Sequence, residues 1–135
     1  MNYYELLKKG LDEHKLPYRE IDDSVIEIHQ GSKNLQSVRI VVGFNEPTDC
    51  HPWLKCYALG HFDDDKYAAA LMACNDANNQ FRWVRFYVDD DHDVVAETDA
   101  IVSEDSVFDE IVELIARMIR IVDDACPAFM KVRWA

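Results

Sequence analysis

The chain has 135 residues, with 26 Asp plus Glu against 14 Lys plus Arg and a net charge of −12 at pH 7; 49% of residues are hydrophobic and 30% charged. Such a length reads as one domain, 1–135, on the usual scale of roughly 100–200 residues each, and it can bury a core without disulfide staples. The composition is globular rather than disordered, and the acidic surplus argues against nucleic acid and anionic membrane as partners, since both are held by clustered Lys and Arg.

The first ten residues, MNYYELLKKG, mix acids and lysines among the apolar positions and do not read as a secretory signal. Tyr3, Tyr4, Leu7, Leu11 and His14 recur at helical spacing and predict a helix over 2–15, ended by Pro17. Strands are expected from Tyr18 to Asp22 and from Val25 to His29. A turn at 31–34 follows, then a strand from Gln36 to Phe44 with Val38, Ile40, Val42 and Phe44 on one face. After a loop at 45–49, Trp53 to Phe62 reads as one strand, with Leu54, Cys56, Ala58 and Gly60 opposed to Trp53, Lys55, Tyr57, Leu59 and His61.

Asp63, Asp64 and Asp65 precede an alanine-rich helix from Lys66 to Gln80, where an Asp can cap the first turn. At 100° per residue Tyr67, Leu71, Cys74, Asn75 and Asn78 share its apolar arc. The two asparagines are then expected to bond to neighbouring backbone. A hairpin follows: strands from Arg82 to Asp89 and from Val94 to Val102, joined by an acidic turn. Ser103 to Cys126 is the clearest helix. Ser103 is its expected N-cap, apolar residues fill a whole half, and Asp123 and Asp124 stand among the acids of the wet half. Pro127 is expected to kink the chain into a short amphipathic tail. The order α-β-β-β-β-α-β-β-α predicts an α+β fold with an antiparallel sheet.

Chemistry-bearing motifs are sparse. The four Gly form no phosphate cradle, and no nucleophile elbow or metalloprotease signature occurs. Four Cys, at 50, 56, 74 and 126, form no CxxC pair and read as reduced thiols of a cytoplasmic protein. Cys50, His51, Cys56 and His61 are the best metal candidates, yet a straight strand through residues 53–61 holds the two histidines too far apart for one tetrahedral ion. The acidic run Asp89–Asp93 lacks the Gly and Glu spacing of a calcium loop and reads as a turn. Glu97 and Asp99 share a strand face, expected to be solvated. Arg82, Arg85, Lys131 and Arg133 are expected to pair with the surplus acids. No catalytic residue, cofactor or metal is assigned.

The run from Ala73 to Asp91 resembles the YbjN family, described as putative bacterial sensory transduction regulators. Asn75 and Asn78 match its N-x-x-N helix end, Phe81, Arg82 and Phe86 its aromatic-basic strand, and Asp89 to Asp91 its acidic turn. His92 stands where members often carry Gly, which would supply a positive φ. The resemblance implies a fold similar to type III secretion chaperones, a homodimer, and no catalytic residues to carry over.

These readings favour a cytoplasmic protein-binding or regulatory module that takes a protein or peptide on an apolar face or sheet edge. Its candidate surface is Trp53, Tyr57, Leu59, Trp83 and Tyr87, with Asn75 and Asn78 as structural residues. The alternatives are a small-molecule or metal-binding sensor, suggested by the family's description, and an unrecognised hydrolase or transferase.

Overall fold

Three helices and six strands follow one another in the expected order α-β-β-β-β-α-β-β-α in the computed structural model, which describes residues 1–135. They are α1 (Tyr3–Glu13), β1 (Arg19–Asp22), β2 (Val25–Gln30), β3 (Val38–Gly43), β4 (Trp53–Cys56), α2 (Tyr67–Gln80), β5 (Arg85–Val88), β6 (Val94–Asp99) and α3 (Val107–Arg133). The strands form one sheet in the order β1-β2-β3-β4-β6-β5, every neighbouring pair antiparallel. No helix is long and apolar enough to cross a membrane.

Period-two alternation sends Ile26, Ile40, Val42, Leu54, Cys56, Ala96 and Phe86 to one face, and cross-strand register stacks them: Ile26 opposite Val42, Val42 opposite Leu54, Cys56 opposite Ala96, Ala96 opposite Phe86. Tyr4, Leu7 and Leu11 of α1 and Ile111, Met118, Val122 and Phe129 of α3 close over them in one continuous core. The broad apolar half of α3 is used on several sides, against α1, α2 and β6.

Helix α1 stops at Glu13 by a Schellman motif. Lys15 takes φ +55°, its N–H donates to the carbonyl of Asp12, and that of Leu16 to the carbonyl of Leu11. Asn2 caps the other end, accepting from Glu5 N at 2.9 Å.

Several expected boundaries move. Strand β4 ends at Cys56 rather than Phe62, because Tyr57–Gly60 forms a turn with Gly60 at φ +77°, and pairing resumes only where His61 bridges Asp93. A glycine takes that backbone without strain. Strand β5 starts at Arg85, not Arg82, since Trp83 sits at φ +78°, and β6 ends at Asp99. No Asp side chain caps α2: residues Asp64–Lys66 form a 3-10 turn ahead of it. Its buried face is Ala70, Cys74 and Ala77, leaving Tyr67, Leu71 and Asn75 exposed, because small residues let the helix lie close on β5.

The largest change is at Pro127. Helix α3 starts at Val107, beyond a Ser103–Ser106 turn in which Ser103 N donates to Ser106 Oγ, and runs through Pro127 to Arg133, so the expected tail is its last turns. Proline has no N–H for the carbonyl four residues back, here that of Asp123. Asn34 supplies the missing donor, its Nδ2 giving a bond to Asp123 O at 3.1 Å. The Asp123 carboxylate in turn accepts from Ser32 Oγ at 2.6 Å and Asn34 N at 2.7 Å. Asp123 is therefore buried at 7% exposure, against the expectation of a wet position.

Candidate partner-binding surface

The sheet has a second face. Val41 and Val95 are buried there outside the main core, among Glu27, Arg39, Gly43, Trp53, Lys55, Arg85, Tyr87, Glu97 and Asp99. Strand alternation puts these residues opposite the helix-covered side.

Charge on this face is locked into two carboxylate hubs. Glu27, only 3% exposed, meets Arg39, Arg19 at 2.6 Å and His29 at 3.3 Å. The Arg39 hydrogen bond, ahead of its other partners, holds its carboxyl below the usual range. Glu97 accepts from Tyr87 Oη at 2.5 Å and Arg85 Nη2 at 2.6 Å, with Lys55 at 3.9 Å. Burial, and then the bond to Glu97, pushes the Tyr87 phenol well above its ordinary range. Glu97 is thus not on a solvated strand face, as the sequence suggested, because cross-strand cations and a phenol cover it. Both carboxylates have their oxygens committed, to cations at Glu27 and to a guanidinium and a phenol at Glu97, which suits a rigid polar ladder better than proton transfer.

Aromatic residues lie beside the hubs. Trp53 lays its indole across the backbone of Gly43, where any Cβ would run into the ring, and the Lys55 ammonium sits 5.0 Å from its centroid. Tyr57 is exposed and Tyr87 half-buried, so Trp53, Tyr57 and Tyr87 share this open face. Leu59 does not belong with them. The turn at 57–60 drives it into the core at 1% exposure. Trp83 also stands apart, in the loop before β5. It is 55% exposed, with the guanidinium groups of Arg117 and Arg82 at 5.1 and 5.5 Å from its ring. A left-handed backbone costs such a residue roughly 1–2 kcal/mol.

The two asparagines of α2 have different roles. Asn78 Nδ2 donates to Phe86 O at 3.0 Å, and its Oδ1 accepts from Phe86 N at 2.7 Å. Strand β5 is a sheet edge, so Asn78 satisfies both outward backbone groups there and blocks strand addition at that point. Asn75 is exposed, and its carbonyl accepts from Asn79 Nδ2 at 3.0 Å.

The basic residues are dispersed. Arg85 bonds Glu97 and Asp99, while Arg133 donates to the carbonyls of Leu59 and His61 and lies over Phe62. Of the candidate metal ligands, Cys50 and His51 approach each other with Asp49, the three ligand atoms within 4.8 Å. Cys56 is buried, its thiol pushed up to about 11 by desolvation, and His61 pairs with Asp93 at 3.2 Å. The four do not converge. In the acidic turn, Asp89 Oδ1 accepts the N–H groups of Asp91 and Asp93, and His92 holds φ +63° where the family resemblance suggested glycine.

Sequence reasoning missed the Asn34–Asp123 contact and the Gly43–Trp53 contact. The first left a signal: a proline in a helix frees the carbonyl four residues back. The second left none, because register alone brings those residues together.

A family model named YbjN, described as a putative bacterial sensory transduction regulator, matches residues 4–131. Among solved structures, the crystal structure of YbjN from E. coli, described as a putative transcription regulator, is similar over 90% of this chain and 89% of that chain. Its TM-score is 0.62 at 12% sequence identity, a likeness of fold. No curated protein matches.

Proposed function

This chain belongs to the YbjN family, and from that premise we propose that it is a non-catalytic cytosolic module acting through a protein or peptide partner. One observation carries the reading: the helices cover one face of the sheet and leave Trp53, Tyr57 and Tyr87 on the other. Hydrogen-bonded strands hold Trp53 and Tyr87 rigidly, so contacts to them lose little side-chain entropy on binding. The partner surface is an extended segment laid across β4, β6 and β5, with apolar side chains on Trp53 and Tyr57. Capture from the source organism's lysate with wild type and with Trp53→Ser/Tyr57→Ser tests this. A partner retained by wild type and lost by the double variant supports the reading, and partners retained equally by both refute it.

The homodimer rests on a different observation. Residues 67–75 of α2 carry no charge, and Leu71 and Met72 are exposed there, Met72 at 68%. Two chains of charge −12 repel over most of their surfaces, so an uncharged stripe is where they can meet. Native mass should read a dimer for wild type and a monomer for Leu71→Glu/Met72→Glu. A monomeric wild type contradicts it.

A further inference from the structure

Trp83 and Ile101 are 18 positions apart and among the most exposed large apolar residues of the chain, at 55% and 76%. The fold brings them to one cleft of about 610 Å³ between the end of β6 and the first turns of α3. Leu114 lines its wall, and Asp99, Asp109, Glu110 and Glu113 stand around it with one cation, Arg117. Two of these acids are already matched, Asp99 by Arg85 at 2.9 Å and Glu113 by Arg117 at 2.7 Å. Asp109 and Glu110 form no ion pair and are exposed. The cleft therefore joins two exposed apolar anchors to two carboxylates that have no side-chain cation and stand in the first turn of α3. The indole has already attracted two guanidinium groups from its own chain, Arg82 and Arg117, as an aromatic face does with cations.

We propose that this cleft docks a basic segment of a partner protein, with an apolar side chain seated between Trp83 and Ile101 and an adjacent Lys or Arg facing Asp109 and Glu110. The inference rests on the partner-binding reading above and adds a second contact point and its chemistry. An acidic or purely polar segment does not fit, since the rim would repel the first and the anchors would stay uncovered by the second.

The probe is a fluorescein-labelled peptide alternating Lys and Leu, measured by fluorescence anisotropy beside one in which Glu replaces Lys and one in which Ser replaces Leu. Trp83→Gly is the informative variant. Glycine accepts the positive φ freely, so the indole is removed without threatening the fold. The Lys–Leu peptide should bind wild type and weaken about tenfold in Trp83→Gly, in Ile101→Ser and in Asp109→Asn/Glu110→Gln, the loss expected of one anchoring contact. Asp63→Asn/Asp64→Asn removes the same charge elsewhere and should bind as wild type. Equal binding to all variants means attraction to net charge alone and overturns the proposal, as does preference for the Glu or Ser peptide. If Trp83→Gly leaves peptide binding unchanged while Trp53→Ser/Tyr57→Ser abolishes partner capture, the cleft is wrong and the open-face reading stands. If site variants weaken the peptide while Trp53→Ser/Tyr57→Ser leaves capture intact, the open face is wrong and the cleft stands.

Discussion

Replacing Asn78 with Ala removes the side chain that pairs with both backbone groups of Phe86, through bonds of 3.0 and 2.7 Å. Phe86 is itself packed in the core, stacked 5.8 Å from Phe129, so β5 cannot shift to find new partners. A lost hydrogen bond costs about 1 kcal/mol net, and more where water cannot reach the orphaned group. Asn78 lies at the surface, so water replaces part of it and the two bonds together are worth about 2 kcal/mol. At about 2 cal/mol/K of unfolding entropy per residue, that lowers the Tm of a 135-residue chain by about 7 °C. Urea unfolding followed by far-UV circular dichroism gives the number directly. Asn75→Ala is the control, because the Asn75 side chain is exposed and only its backbone carbonyl is engaged; it should stay within about 0.5 kcal/mol of wild type. Equal losses at both positions, or no loss at 78, would refute the assignment of the N-x-x-N pair to one edge-closing and one surface residue.

Asn34→Ala should destabilise by about 1–2 kcal/mol through the orphaned Asp123 carbonyl, and by less in a Pro127→Ala background, where the restored N–H takes that carbonyl; a double-mutant cycle with no coupling would contradict this. Ser32 and Asn34 hold the Asp123 carboxyl below its ordinary range. Its stabilisation is therefore full above the unfolded-state value and is lost as pH falls below it, so the gap between Ser32→Ala and wild type should narrow in an acid titration to the share that comes from the bonds of Ser32 Oγ with Leu35. Burial raises the thiols of Cys56 and Cys74 to about 11, and Cys126 is buried as well. A thiol reagent at pH 8 should modify half-exposed Cys50 quickly and the other three only on unfolding.

Much of the fold was legible because two periodicities dominate the chain. Ile26, Ile40 and Val42 alternate, and Ile111, Ile115, Met118 and Val122 follow the helical repeat, so element type and order could be read from position alone. What was not legible came from groups whose state depends on a distant neighbour. Trp83 reads as a strand residue until the core positions of Phe81 and Val84 turn it outward into positive φ. Leu59 reads as one of an alternating series until the turn at Gly60 sends it inward. Glu97 and Asp123 read as wet acids, and burial comes from Arg85 and Tyr87 in one case and from a turn 89 residues away in the other. Of the candidate surface, Trp53 and Tyr87 each alternate outward within their own strands, which sequence shows, while their common face follows from the pairing of β4 and β5 with β6 and the meeting of Trp83 with Ile101 needs the three-dimensional path of β6.

The central claim, binding of a partner across the open sheet face, is tested most directly by hydrogen exchange on wild type with and without its captured partner. The account predicts slowed exchange in β4, β5 and β6 and the 57–60 turn, with α1 unchanged. Protection confined to the helices, with the open-face strands unaffected, would contradict it.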